Sequence, residues 1–225
     1  MCGRFALDSA MHRLRAVFAA VNALPNFAPS WNIAPRQLAP VVRLHPQTGA
    51  RHLDLLSWGL LPHWTSSLAA ARRPINARAE TAATTPIFRD AMARRRCLVP
   101  MDAFYEWQPT PGGKIPHAIA RADAALLVAA GLWEGWRAPD GEVVRSFTIL
   151  TTAANPALQA LHDRMPVILE PADWPLWLGE AAGDPAGLLH PSTAALRLWR
   201  VGPSVGPSVG NVRHNGPDLL APIAP

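Results

Sequence analysis

The sequence predicts an α+β fold of one domain, with a mostly antiparallel, partly barrel-like sheet and interspersed helices. Three observations carry this expectation. Short strand-like runs broken by Pro and Gly recur along nearly the whole chain, helical patterns fall between them without regular alternation, and no linker of shifted composition divides residues 1–225.

The elements follow in order. Asp8 or Ser9 can cap a first helix, along which Met11, Leu14, Phe18 and Val21 share one face. The stretch from Pro25 to Pro35 reads as a loop. Leu38–Leu44 and His52–Trp58 read as strands joined by a turn through Pro46-Gln47-Thr48-Gly49. Thr84 or Thr85 is expected to cap a second helix, with Pro86 near its first position and Arg94–Arg96 in its last turn, where cations suit the dipole. Further strands are expected at Cys97–Met101, His117–Arg121, Leu126–Leu132 and Val143–Thr152. Asn155-Pro156 opens a short helix leading to His162; Pro166–Glu170 and Leu196–Val201 close the set, with a helix around Trp174 and Trp177 between them. The tetrapeptide VGPS occurs twice, at 201–204 and 205–208, and marks a low-complexity surface loop over 201–210.

Composition narrows the class. Hydrophobic residues make up 49% of the 225 and charged residues 16%, which supplies a packed core and excludes a largely disordered chain. No apolar run approaches the ~20 residues that span a bilayer. Two cysteines, Cys2 and Cys97, make neither a disulfide scaffold nor a CxxC zinc site, and no metal is expected. A soluble cytoplasmic protein is the expectation. The 21 basic residues, all Arg except Lys114, exceed the 16 acidic ones, and nine Trp accompany a single Tyr. Arg with Trp suits phosphates and unstacked bases, so nucleic acid is admitted as a partner.

Cys2 is the first candidate for chemistry. Removal of Met1 would leave an amine and a thiol on adjacent carbons. An α-amine titrates at about 7.7–8.0 against about 10.4 for lysine, so far more of it is nucleophilic at neutral pH. Such an amine attacks an aldehyde to give a Schiff base, and the thiol closes a five-membered thiazolidine. Lys114 lies in a Pro-Gly-Gly-Lys turn, which disfavours a lysine Schiff-base enzyme. A cysteine beside the start codon can also arise by chance. Glu106, flanked by Tyr105 and Trp107 at the end of a strand, would be desolvated and suited to proton transfer, or would be an edge carboxylate facing water. His162 precedes Asp163 and Arg164, which could orient it. Asn76, within Pro74–Glu80, could position a reacting group or serve only in a turn. Arg4 and Arg78 are placed to bind anions, and Trp64 and Trp107 to stack bases; a solvated face and a packed core are the plainer alternatives.

Read in order, MCGRF at the start, WNIAP from Trp31, WGLLPHW from Trp58, INARAET from Ile75, FYEW from Phe104, HDRMP from His162 and GNVRHNGPDLL near the end resemble the SRAP family, the SOS-response-associated peptidases. The resemblance implies a sensor and shield for abasic sites in single-stranded DNA. Cys2, exposed by loss of Met1 through self-cleavage or an aminopeptidase, would form a thiazolidine with the ring-opened deoxyribose. Glu106 would transfer protons, and His162 would assist ring opening, closure or reversal. Asn76 would hold the cysteine or the sugar, Arg4 and Arg78 the phosphates, and Trp64 and Trp107 the bases. No cofactor is implied; the partner is single-stranded DNA, and a monomer associated with the nucleoid when bound is expected. The VGPS duplication departs from the family pattern, away from these residues. Two other classes stay open: an N-terminal-nucleophile amidase that uses Cys2 without DNA, and a noncovalent single-strand binder in which Cys2 is dispensable.

Overall fold

The computed structural model describes residues 2–69, 71–202 and 208–223. The chain opens with β1 (Phe5–Leu7), α1 (Met11–Phe18) and β2 (Ser30–Ile33), then makes the hairpin β3 (Leu38–Leu44) and β4 (Arg51–Trp58). After a long loop come β5 (Asn76–Arg78), α2 (Ala79–Ala82), α3 (Arg89–Arg94) and β6 (Arg96–Met101). The hairpin β7 (Ala103–Thr110) and β8 (Gly113–Arg121) leads into β9 (Leu127–Arg137) and β10 (Val143–Ala153). The last elements are β11 (Arg164–Pro166), α4 (Trp174–Leu178) and β12 (Leu196–Arg200).

One sheet has the order β12-β8-β7-β1-β2 and is antiparallel. The other runs β11-β10-β4-β3-β6-β9, and β9 returns to pair with β10 from Arg137↔Val143 to Gly131↔Ile149. Strands β3, β4, β10, β9 and β6 therefore close a five-stranded ring. Among the described residues, only β4 and β5 run parallel to their neighbour, β10. Inside the ring, packing is tight at Gly131: a Cβ there would sit 2.9 Å from Cys97 Sγ and 2.9 Å from Val99 Cγ2. The α+β, mostly antiparallel and partly barrel-like fold is the one the sequence predicts.

The two sheets share an apolar core. Phe5 of β1 meets Trp58 of β4 edge-on at 5.2 Å, and Trp58 stacks on Phe147 of β10 at 6.2 Å. All three are fully buried, and covering a side chain of this size contributes about 1.5–3 kcal/mol. A smaller cluster of Tyr105, Ala118, Val201 and Val209 lies on the other face of the first sheet.

Several local expectations are corrected. Helix α1 starts after Ala10 without a side-chain cap, because Asp102 accepts the Asp8 and Ser9 backbone N–H groups at 2.8 Å each. It ends at Ala19 in a left-handed conformation, so Val21 is exposed rather than on the buried face. Pro25–Pro35 is not wholly loop: Ser30–Ile33 forms β2, supported by Asn215 Oδ1 on the Trp31 N–H at 2.7 Å and by Tyr105 Oη on the Trp31 carbonyl at 2.7 Å. Helix α3 starts at Arg89, not beside Pro86, and Thr85 donates its hydroxyl back to the Thr81 carbonyl. The run from Asn155 to His162 is a series of turns, opened by Asn155 Oδ1 accepting the Leu158 N–H. Strand β11 lies at Arg164–Pro166, earlier than Pro166–Glu170, and Ile168 makes an isolated bridge to Ala129. Residues 203–207 of the VGPS loop lie outside the described residues.

Candidate functional site

The site is organised by the C-terminal end of β10. On one edge, β5 pairs Asn76 with Ile149 and Arg78 with Thr151. On the other edge, β11 pairs Pro166 with the same Thr151 and Arg164 with Ala153. One strand end thus carries the segments of both Asn76 and His162. Arg164 bolts them together: its guanidinium donates to Glu80 at 2.6 and 2.8 Å and to the Thr151 carbonyl. Glu80 follows β5 on α2, and the Arg164 guanidinium beside it holds its carboxyl below the usual range.

Asn76 reaches the N-terminus. Its Nδ2 donates to the Cys2 carbonyl at 2.8 Å, while its Oδ1 is buried without a hydrogen-bond partner among the described residues. Cys2 is fully buried in the main core, with Sγ 3.9 Å from the Arg4 carbonyl. Burial, then the nearby negative charge of Glu106, pushes its thiol well above the ordinary range, so the sulfur is a protonated thiol at neutral pH.

Glu106 is buried in the middle of β7, not at a strand end, and is not an edge carboxylate facing water. Alternation along the strand explains its place. Phe104 and Glu106 face the main core that holds Cys2, whereas Tyr105 and Trp107 face the smaller cluster. The Tyr105 N–H donates to the Arg4 carbonyl at 3.0 Å, which lays the N-terminal segment along β7 beside Glu106. Cys2, Asn76 and Glu106 are therefore brought together. Trp107 points away from them, half-buried against the second cluster.

His162 lies in the turn before β11, on the opposite edge of the β10 end from β5, its side chain about one-third exposed, with Nδ1 2.7 Å from Asp163 Oδ1 and 3.0 Å from the Arg164 backbone nitrogen. A neutral ring accepts the Arg164 N–H at Nδ1 and carries its proton on Nε2. A protonated ring donates from Nδ1 to Asp163 instead. Asp163 and Arg164 both orient the ring, as their position in the sequence suggests.

The basic candidates differ in kind. Arg4 has Nε and Nη1 buried with no partner among the described residues, and burial lowers its pKa. Unpaired cationic donors under cover are costly and suit an approaching anion. Arg78 is exposed beside Glu80. Arg94–Arg96 is not one solvated face: Arg94 is exposed, Arg95 pairs with Glu134 at 2.6 Å, and Arg96 donates to Met92, Ala93 and Trp177 carbonyls. Trp64, 60% exposed, lies in the 59–75 loop, whose ends are pinned by Gly59 N–H on the Phe147 carbonyl and Leu60 N–H on the Pro74 carbonyl. Gly59, at φ +120°, is required there, since a Cβ would come within 3.1 Å of the Arg73 carbonyl oxygen.

Sequence reasoning gave no role to Glu80 or Asn215. Both lie inside the quoted motifs, but their partners, Arg164 and Trp31, are remote in sequence and no local signal pairs them.

The buried N-terminal cysteine, the amide on its carbonyl and the carboxylate beside it define a fold and site whose relatives can be identified. The family model for SRAP, SOS response associated peptidase, matches residues 1–208, and the chain belongs to that family. It is 35% identical to the abasic site processing protein YoqW of Bacillus subtilis (strain 168) over 227 residues, covering 98% of this chain and 99% of that one. Against the abasic site processing protein YedK of Escherichia coli (strain K12) the identity is 30% over 229 residues, covering 99% and 100%. A crystal structure of a protein from Bordetella bronchiseptica superposes with a TM-score of 0.76 at 32% identity, covering 89% of this chain and all of that one. No helix among the described residues is long and apolar enough to cross a membrane.

Proposed function

We propose that this protein processes abasic sites in single-stranded DNA by covalent capture, and that Cys2, after loss of Met1, is the residue that reacts. The observation that carries the reading is the Asn76–Cys2 hydrogen bond at 2.8 Å, with Glu106 buried alongside. The names of YoqW and YedK support abasic sites as the substrate class.

The chemistry begins with hydrolysis of the Met1–Cys2 peptide bond: water is consumed, methionine leaves, and the Cys2 α-amine is freed. The amine adds to C1′ of the ring-opened deoxyribose, and the aldehyde oxygen takes a proton to become a carbinolamine hydroxyl. That hydroxyl leaves as water with a proton from Glu106, and the nitrogen gives its own proton back to the carboxylate, leaving a neutral imine. The Cys2 sulfur then adds to the imine carbon, its proton passes through Glu106 to the ring nitrogen, and a thiazolidine closes. The capture itself, from free aminothiol and aldehyde to thiazolidine, releases one water. Because the thiol is kept protonated, the amine leads and the sulfur follows. Asn76 fixes the Cys2 carbonyl with Nδ2 and offers Oδ1 to the amine. His162 moves protons at the sugar and on reopening of the ring. Arg4 and Arg78 hold the flanking phosphates, while Trp64 supplies an exposed aromatic face to a base; Trp107, half-buried on the other face of the sheet, is withdrawn from that role.

The test is incubation with an oligonucleotide bearing one abasic site, followed by a denaturing gel. The reading expects a shifted band that Cys2→Ala abolishes. An unshifted wild type would favour a noncovalent binder, and amide cleavage independent of DNA would favour an N-terminal-nucleophile amidase.

A further inference from the structure

A cavity of about 410 Å³ opens beside the start of β10, within the size range of small-molecule sites. Arg43 of β3, Arg95 just before β6, Trp133 and Gly135 of β9, and Arg145 of β10 line it. It is separate from the reacting cysteine: Arg145 precedes Ile149, the partner of Asn76, by about 13 Å along the strand.

The cavity wall holds donors that the protein leaves unused. Arg43, only 4% exposed, gives Nη2 to Asp54 at 2.6 Å and lays its guanidinium over the Trp133 ring at 4.5 Å, yet its Nε is buried with no partner among the described residues. Arg95 gives Nη2 to the buried Glu134 at 2.6 Å, and its Nε is likewise buried and unpartnered. His45 Nδ1 at the rim is in the same condition. The negative groups are already taken up, since His63 faces the second oxygen of Glu134 at 3.4 Å. Arg145 is exposed and makes no ion pair among the described residues. Burial first, and the like charge of Arg145 against the pull of Asp54, lower the pKa of Arg43; an anion between the two guanidiniums would relieve that repulsion.

Buried cationic N–H groups without acceptors are costly, and a tetrahedral oxyanion presents enough oxygens to satisfy several at once. Its shape favours a small ligand over a strand. The orphan donors are recessed, and a backbone diester would have to bring an ester link into the recess on both sides. A monoester enters with three free oxygens. Gly135, which shares the face of Trp133 by strand alternation, leaves the room: a Cβ there would meet only Val143 Cγ1, at 3.8 Å.

We infer that this cavity binds inorganic phosphate or a small phosphomonoester, its oxygens held by Arg43 Nε, Arg95 Nε and the Arg145 guanidinium. The site uses none of the residues around Cys2, so its ligand is distinct from the captured sugar.

The experiment is calorimetric titration of the full-length protein, in chloride buffer, with inorganic phosphate and with glycerol 3-phosphate, which has no aldehyde to react at Cys2. One saturable site per chain is expected; the tighter of the two probes shows whether free phosphate or an organic ester is the natural ligand. Arg145→Gln, at an exposed position that the fold does not need, should weaken binding about tenfold, the loss of one charge-assisted hydrogen bond. Arg95→Lys keeps a cation for Glu134 but has no Nε and should weaken it similarly. Gly135→Leu fills the cavity without removing a charge and should abolish binding. Absence of saturable binding by the wild type, or undiminished affinity in Arg145→Gln, would overturn the site. So would displacement of glycerol 3-phosphate by a short single strand lacking a terminal phosphate, since the recess would then serve a backbone diester.

Discussion

At the end of β10 the polar side chains are held by specific partners: Asn76 on the Cys2 carbonyl, Arg164 on Glu80 and Thr151, His162 between Asp163 and the Arg164 amide. At the surface, by contrast, Trp64, Arg72, Arg94 and Arg145 are exposed, and these arginines make no ion pair among the described residues. On the proposed function, the difference teaches how one chain would combine exact chemistry with tolerant binding. Covalent capture needs an amine, a sulfur and a proton carrier fixed within a fraction of an ångström, which a closed barrel and its flanking strands supply. Holding a strand of any sequence needs only charge and aromatic area in water, which a surface loop and helix supply.

The largest effect should come from the buried side of this contrast. Cys2→Ala should remove crosslinking completely and leave noncovalent affinity for single strands within about twofold, because affinity comes from the exposed side; a titration of binding beside the denaturing gel checks both. Glu106→Gln keeps the shape but cannot carry the proton, so crosslinking should slow by about 10²–10⁴-fold with DNA affinity retained. Wild-type crosslinking by Glu106→Gln from pH 5 to 8 would remove the carboxylate from the mechanism. Both outcomes, if seen, sharpen the division between a reacting and a binding region.

Much of that division is legible in the sequence, and the exceptions have a physical cause. The β3–β4 hairpin is readable because alternating apolar runs meet a Pro-Gln-Thr-Gly turn. Cys2, Asn76 and Glu106 are readable because each sits in a short motif with its own chemical logic. Strand β2 is not readable, since Trp31-Asn32-Ile33-Ala34-Pro35 has the composition of a loop and becomes a strand only when Tyr105 and Asn215 bind Trp31. The face on which Trp107 lies is likewise set by the register of β7 against β8, where Glu106 opposes His117. Glu80 is silent in the sequence because its partner is 84 residues away.

Glu80 gives the next prediction. Glu80→Ala leaves the mostly buried Arg164 without its carboxylate and should lower stability by about 1–2 kcal/mol, a figure reduced because half of Glu80 is open to solvent. The sign with pH is fixed by the direction of its shift. Arg164 holds the folded carboxyl below its unfolded value of about 4.3, so the stabilisation is fully present above that pH and is lost as pH falls through the lower folded value. Denaturant melts of the two proteins should therefore differ at pH 7 and converge in acid; a constant difference at every pH would mean that the charge of Glu80 is irrelevant.

Smaller effects belong to the exposed side. Trp64→Ala should leave stability unchanged and weaken single-strand binding by about 1–3 kcal/mol, the worth of one stacked base. Arg78→Ala on this side, and Arg4→Ala from beside the buried cysteine, should each flatten the salt dependence by about 0.7. If Trp64→Ala instead lowered the melting temperature with affinity intact, the tryptophan would be a structural residue and the contrast between the two regions would weaken.

The account's central claim is that the N-terminal aminothiol of Cys2 is the reacting group. Intact mass measurement of the protein after incubation with an abasic oligonucleotide tests it most directly. The predicted product has the mass of the chain lacking Met1 plus that of the oligonucleotide, less one water. A covalent product that still retains Met1, or one formed equally by Cys2→Ala, would contradict it.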